Sequence, residues 1–285
     1  MSQLFKKLAS GYHHLFYELA DPRVEPFFLM SSPIPVAIIV AFYIYFVFKL
    51  GPRLMKNRPP FDLEKVLIIY NIVQIILCGY LVIQFVRHLL FTYSFICEPI
   101  SYSTDEMSIF VARHVWLYFI IKVIDLLDTV FFVLRKKNNQ ISFLHVYHHT
   151  GMVLLGWAGT KYIAGGHGVF VGFLNSIVHV VMYFYYLLSA WNKEYKKSLW
   201  WKKYLTQMQI VQFFIMILYF GQLLFQPNCT YPKWTVWVFV PQNVFMIVLF
   251  LDFYIKSYVK PKKNHEMSSM LAREAAKTTD LSKFD

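Results

Sequence analysis

The chain has 285 residues, 57% of them hydrophobic and 19% aromatic, with a mean hydropathy of +0.44. No water-soluble domain of this length carries that balance, so the composition excludes a soluble class and indicates an all-α polytopic membrane protein. The formal net charge of +12 does not mark a nucleic-acid binder, because the cations collect in the loops of one membrane face, where they would also attract a polyanionic substrate.

In chain order, Met1 to Glu25 form a polar amphipathic leader in which Lys6, Lys7 and Arg23 balance Glu18, Asp21 and Glu25. With no apolar region behind a basic start, the leader does not read as a cleaved signal peptide. Charge-poor stretches follow at residues 34–49, 66–86, 107–134, 141–160, 166–192, 204–226 and 234–255, each near the roughly 20 residues that a bilayer crossing needs. Seven transmembrane helices are therefore expected. Residues 1–263 make one membrane domain, and the tail 264–285, polar and without an apolar stripe, is expected to be disordered.

Lys49, Arg53, Lys56, Arg58 and Lys65 follow the first span, and Arg135, Lys136 and Lys137 follow the third. The fifth is followed by Lys193, Lys196, Lys197, Lys202 and Lys203, and the seventh by Lys256, Lys260, Lys262 and Lys263. Opposite them, the loop from Arg87 to Glu106 sets one Arg against Glu98, Asp105 and Glu106. The positive-inside rule then places the N-terminus in the lumen and the C-terminus in the cytosol. Cys97 and Cys229 fall in two lumenal loops, where an oxidising compartment allows them to pair, while Cys78 lies within the second span. Asn228-Cys229-Thr230 has the form of a glycosylation sequon, although a bridged Cys229 close to the membrane would hinder modification.

Polar groups inside the spans are the functional signal. The third carries Lys122, Asp125, Asp128 and Thr129 on one side; Lys122 and Asp125 can neutralise each other, which leaves Asp128 to face a neighbouring histidine. In the fourth, His145, His148 and His149 stand in a stretch from Ile141 to Thr160 without Asp, Glu, Lys or Arg up to that point, and their i, i+3, i+4 spacing puts all three imidazoles on one face. The fifth offers Asn175, His179, Tyr183 and Tyr186 on a single stripe, and the sixth Thr206, Gln209 and Gln212. At a rise of about 1.5 Å per residue, the histidine triplet lies roughly 6 to 12 Å inside the cytosolic end, Asp128 roughly 10 Å, and His179 roughly 20 Å. The pattern implies a pocket polar at its cytosolic mouth and greasy beyond. Acyl-CoA, with a water-soluble head and a long acyl tail, suits such a pocket, with Arg135, Lys136, Lys137, Lys202 and Lys203 on the rim to hold its phosphates.

As a set, these residues resemble the very-long-chain fatty acid elongases, the membrane 3-ketoacyl-CoA synthases of the endoplasmic reticulum. Their Lys-x-x-Glu-x-x-Asp-Thr pattern is similar to Lys122 to Thr129, their His-x-x-His-His box to His145 to His149, their Asn-x-x-x-His-x-x-Met-Tyr-x-Tyr-Tyr to Asn175 to Tyr186, and their Thr-x-x-Gln-x-x-Gln to Thr206 to Gln212. The likeness runs from about Asp21 to Lys263. Asp125 stands where the family has Glu, and the end Leu281 to Asp285 lacks the paired lysines of many members, so location in the endoplasmic reticulum membrane rests on the family.

The resemblance implies that helices 2 to 7 surround a closed-ended acyl tunnel. It also implies condensation of a long-chain acyl-CoA with malonyl-CoA to 3-ketoacyl-CoA, with no metal or resident cofactor. Implied partners are membrane lipid, the ketoacyl reductase, dehydratase and enoyl reductase of the elongation cycle, and a second copy of the chain in a homo-oligomer. With Cys97 and Cys229 on the far face, an imidazole must accept the acyl group: His148 is the expected nucleophile, His145, His149 and His179 its acid, base or oxyanion partners, and Asp128 the group that orients one imidazole. Lys122, Asp125, Asn175, Tyr183, Tyr186, Gln209 and Gln212 are expected to hold substrate. Two alternatives stay open: a histidine-box metal enzyme of the desaturase or hydroxylase kind, which needs more ligands than these four histidines, and a His/Asp proton-coupled transporter, which would favour broken helices and internal repeats not seen here.

Overall fold

The computed structural model describes residues 3–91, 93–192, 194–195 and 199–260; the 264–285 tail and the loop residues Lys193, Lys196 and Lys197 lie outside the described residues. Helices form throughout, and among the described residues there is no strand. The leader opens as α1 (Gln3–His13), which buries no residue and turns Leu4, Phe5 and Leu8 outward. Pro35 stands in the first turn of α2 (Ile34–Tyr45), where its missing N–H is not needed. A π-turn at Phe46–Leu50 then leads into α3 (Gly51–Met55). A Cβ on Gly51 would lie 2.5 Å from Val133 Cγ1, so only glycine permits that approach.

Next come α4 (Glu64–Phe91) and α5 (Glu106–Ile124), the latter capped by Asp105, whose carboxylate accepts from Ser108 N at 2.9 Å. The third expected span is not one continuous helix. It breaks at Asp125 and resumes as α6 (Leu126–Leu134), with the Asp128 N–H reaching the Asp125 carbonyl at 3.2 Å in a tighter, 3₁₀-type turn. The tightening occurs where Lys122 and Asp125 turn inward. Then follow α7 (Phe143–Tyr162), α8 (Val169–Trp191), α9 (Leu199–Gly221) and α10 (Trp234–Tyr254). The α7 to α8 turn needs Gly166 at φ +59, where a Cβ would press 2.9 Å against the Glu98 carbonyl oxygen.

The main packing pairs are α4 with α8, α9 with α10, and α5 with α7. Further contacts join α4 to α5, α7 to α10 and α8 to α9, so the contacts run α4–α5–α7–α10–α9–α8 and return to α4, with α2 lying outside against α7. At one end, Lys56, Lys136 and Asn138 line a shallow pocket, and the Phe61 N–H bonds to the Leu134 carbonyl. At the other, Cys97 and Cys229 form a disulfide (Cα–Cα 5.7 Å), and the buried Asp21–Arg23 pair clasps the Ser108 and Ala164 carbonyls. We refer to these as the basic end and the disulfide end.

The chain is a multi-span membrane protein. Among the described residues, five helical segments are long and apolar enough to cross a bilayer: Ile34–Met55, Glu64–Leu90, Gly166–Trp191, Trp200–Phe225 and Trp234–Val259. The other two expected crossings, α5 with α6 and α7, are helical but hold the buried charges and the histidine triplet, which lower their hydropathy.

Candidate active site

The triplet is set by the start of α7. Ser142 accepts the His145 backbone N–H at 3.2 Å and fixes the first turn, so that His145 and His149 lie on one face with tilted rings whose centroids are 4.2 Å apart. His148 stands beside His149 at 5.5 Å. His145 is restrained: its Nε2 lies 2.8 Å from Thr129 Oγ1, which is itself 2.8 Å from Tyr43 Oη on α2. Among the described residues His148 makes no hydrogen bond, and it is the member of the triplet that lines the main cavity.

A second cluster sits at the α5 to α6 break. Lys122 Nζ donates to Asp125 Oδ2 at 2.8 Å and approaches His179 Nδ1 at 3.3 Å, while Asp125 Oδ2 is 3.5 Å from the same nitrogen. Asp125 Oδ1 accepts from Gln74 Nε2 at 2.6 Å and from Tyr183 Oη at 3.0 Å. Gln74 also donates to Tyr70 Oη at 3.0 Å. Lys122, Asp125 and Gln74 are buried, and removing one member of such an ion pair leaves an uncompensated charge at a cost of about 3–5 kcal/mol. The Lys122–Asp125 pair thus forms as the spacing allows, but it also holds an imidazole.

Asp128 does not face a histidine. Its Oδ2 is 2.8 Å from Tyr183 Oη, and the carboxylate beside an imidazole is Asp125. The tight turn at Asp125 explains the exchange, since residues after it no longer follow the α5 stripe.

Between the helices lies a narrow cavity of about 110 Å³. His148, Asn175 and Gln212 line it, joined by Gln242 and Asn243 of α10, and most of the remaining wall is apolar. Asn175 Oδ1 is fixed by Tyr118 Oη at 3.0 Å. From His148 the lining continues along α7 to Thr160, a rise of about 18 Å. Gly151 and Gly159 line it too, with no atom within 4 Å of the place a Cβ would take, so their missing side chains are part of the void.

Other expected site residues stand apart from the cavity. Tyr186 is 38% exposed, and Gln209 is half-buried with its amide 3.9 Å from Met182 Sδ. Arg135 and Lys202 are half-buried and Lys136, Lys137 and Lys203 exposed at the basic end, none of them in its wall. Sequence reasoning missed Gln74, Tyr70, Tyr118, Gln242 and Asn243. Gln74 had a signal: with Asn71 it is one of two buried amides in the largely apolar stretch 66–86. Among the described residues no group of three or more His, Cys, Asp or Glu side chains is placed to hold a metal ion.

A profile of the family described as "ELO: GNS1/SUR4 family" matches residues 28–266. The chain is similar to very long chain fatty acid elongase 7 of Rattus norvegicus, at 46% identity over 247 residues, 86% of this chain and 88% of the relative. It is 45% identical over 248 residues to very long chain fatty acid elongase 4 of Homo sapiens, covering 87% of this chain and 78% of the relative. For very long chain fatty acid elongase 1 of Mus musculus the identity is 41% over 258 residues, covering 88% and 91%.

Proposed function

The chain belongs to the ELO: GNS1/SUR4 family and is an enzyme of very-long-chain fatty acid elongation, and from that premise we propose that it condenses a long-chain acyl-CoA with malonyl-CoA to 3-ketoacyl-CoA, CO2 and free CoA. The observation that carries this reading is the position of His148, an imidazole without a hydrogen-bond partner at the polar section of a long apolar cavity. An acyl tail occupies the apolar length and brings its thioester carbonyl to His148.

The reaction is ping-pong. In the first half, the His148 imidazole attacks the thioester; a C–N bond forms, the C–S bond breaks, and the imidazole proton goes to the departing thiolate to give CoA-SH. In the second half, the malonyl carboxylate leaves as CO2. The electron pair it releases attacks the acyl carbon, and imidazole departs as the new C–C bond closes. Asn175 and Gln212, in the same wall, are placed to hold the developing oxyanion, a role worth about 10²–10³ in rate per donor. His145, His149 and His179 support His148, with Lys122 and Asp125 orienting His179.

Neither half requires a resident metal or cofactor. The helices α5 with α6 and α7 complete a seven-span arrangement in the endoplasmic reticulum membrane, the basic end in the cytosol with the C-terminus and the disulfide end in the lumen with the N-terminus. Arg135, Lys136, Lys137, Lys202 and Lys203 form the rim that meets the CoA phosphates. The reductases and dehydratase of the cycle then take the product onward. The test is to supply purified full-length protein with a panel of saturated and polyunsaturated acyl-CoAs and labelled malonyl-CoA. Labelled 3-ketoacyl-CoA is expected, and its absence with every acyl-CoA would overturn the reading.

A further inference from the structure

The condensation has a proton balance that the cavity wall does not provide for. Acyl transfer to His148 is neutral overall, because the proton leaving the imidazole ends on CoA. The second half is not: CO2 departs, the acyl–imidazole C–N bond breaks, and the freed imidazole nitrogen must take up one proton. That proton has to reach His148 inside a ring of largely apolar helices.

The buried cluster beside His179 is built for this. Tyr183 Oη lies 3.0 Å from Asp125 Oδ1 and 2.8 Å from Asp128 Oδ2, yet a phenol has one proton to donate. Both contacts are hydrogen bonds only when one carboxyl brings a proton of its own. Asp125 has Lys122 at 2.8 Å and the Gln74 amide at 2.6 Å, so its charge is compensated. Among the described residues no cation pairs with Asp128, and a second uncompensated charge in this interior would be costly. The proton therefore sits between Asp128 and Tyr183.

We infer that Asp128, Tyr183, Asp125, Lys122 and His179 form a proton relay that supplies the condensation half-reaction from the basic end of the molecule. Asp128 is the outermost member, 8% exposed on α6, whereas Tyr183, Asp125 and Lys122 are 0%, 1% and 2% exposed. In one passage, Asp128 gives its proton to Tyr183 Oη as Tyr183 gives its own to Asp125. Lys122 then passes a proton to His179 Nδ1, 3.3 Å away, and is refilled from Asp125. His179 releases a proton from its other nitrogen toward the imidazole of His148, and Asp128 is reprotonated from water. The groups facing the relay include Tyr70 and Gln74 on α4 and Tyr118 one turn before Lys122 on α5, with His148 and His149 of α7 near enough to His179 to act on its charge. Tyr70 and Gln74 are positioning residues that hold Tyr183 and Asp125.

This inference rests on the proposed condensation, and the two can fail separately. Purified full-length protein is given the best acyl-CoA of the panel, first alone, to time CoA release and acyl-enzyme formation, and then with malonyl-CoA, to time 3-ketoacyl-CoA formation. Tyr183→Phe and Asp128→Asn are expected to slow the malonyl-dependent step about 100-fold, at least tenfold more than they slow acyl transfer. In the wild type a solvent deuterium isotope effect is expected on the second step, larger than the one that the imidazole-to-thiolate proton transfer gives to the first. Equal slowing of both steps, or an isotope effect no larger on the second step than on acyl transfer, overturns the relay and leaves the condensation standing. If Asp128→Asn does not fold, the wild-type isotope measurement still decides. A wild type that forms neither acyl-enzyme nor ketoacyl product overturns the condensation itself.

Discussion

His148 and His167 are both histidines with aromatic neighbours inside the helix ring, and their surroundings set the two ends of the molecule apart. His167, at the disulfide end, is fully buried, stacks on Tyr219 at 3.8 Å and donates from Nε2 to the Tyr219 carbonyl at 3.0 Å. Tyr93 ties the same region together, bonding both the His167 carbonyl and Tyr219 Oη. His148 touches Phe213 edge-on at 6.5 Å and opens onto the cavity. A histidine with packed faces and a bonded nitrogen is structural. One left without a partner beside a void is available for chemistry.

The largest effect expected from this contrast is therefore a split in outcome. His148→Ala should lower condensation at least a thousandfold with a thermal midpoint close to wild type. His167→Ala should do the reverse, losing about 2–4 kcal/mol of stability to a cavity and a lost hydrogen bond, with turnover per folded molecule nearly unchanged. Parallel melting and turnover measurements on the two variants check this. Similar profiles for both would erase the distinction between the two ends.

The disulfide gives the next largest effect. Cys97 and Cys229 are 132 residues apart in sequence, so the bridge closes a long loop, and removing it is expected to cost about 2–5 kcal/mol. The bridge is remote from His148, so Cys97→Ser should lower the thermal midpoint while the rate at low temperature holds. A rate that falls in step with the bridge, in protein still folded, would show that the disulfide end shapes the chemistry as well as the scaffold.

Helix positions were legible because a charge-poor run of bilayer length leaves few other conformations, and each of the seven expected stretches is helical. Inter-helix partners were less so. Spacing puts Asp128 on the same stripe as Lys122, but a turn of tighter pitch at Asp125 sends it to Tyr183, and no period in the sequence announces that turn. Asn175 and Gln212 reach the cavity while Tyr186 and Gln209, from the same motifs, do not, because which side of a helix faces inward depends on the order of helices in the ring. Gln74 shows the opposite case: a buried amide in a largely apolar stretch was visible, yet its partner lies 51 residues away at the α5 to α6 break.

The finest discrimination between the ends comes from making one substitution at two places on α7. Gly151 lies one turn beyond His148 and Gly159 near the last turn of the helix, and both border empty space. Replacing either by Val adds bulk to the cavity without a clash at Cβ, and loss of glycine from a helix interior slightly favours the helix, so misfolding does not confound the result. At Gly151 the added side chain stands where every acyl chain must pass, and turnover should drop for all of them by a similar factor. At Gly159 it stands about 16 Å along the helix axis from His148, where only longer chains reach. Gly159→Val should therefore spare short substrates and reject long ones, moving the product distribution toward shorter chains. Assays of both variants across a ladder of acyl-CoA lengths separate the two. If they shift the length profile alike, the acyl chain does not run from His148 toward the disulfide end, and the direction assigned to the cavity is wrong.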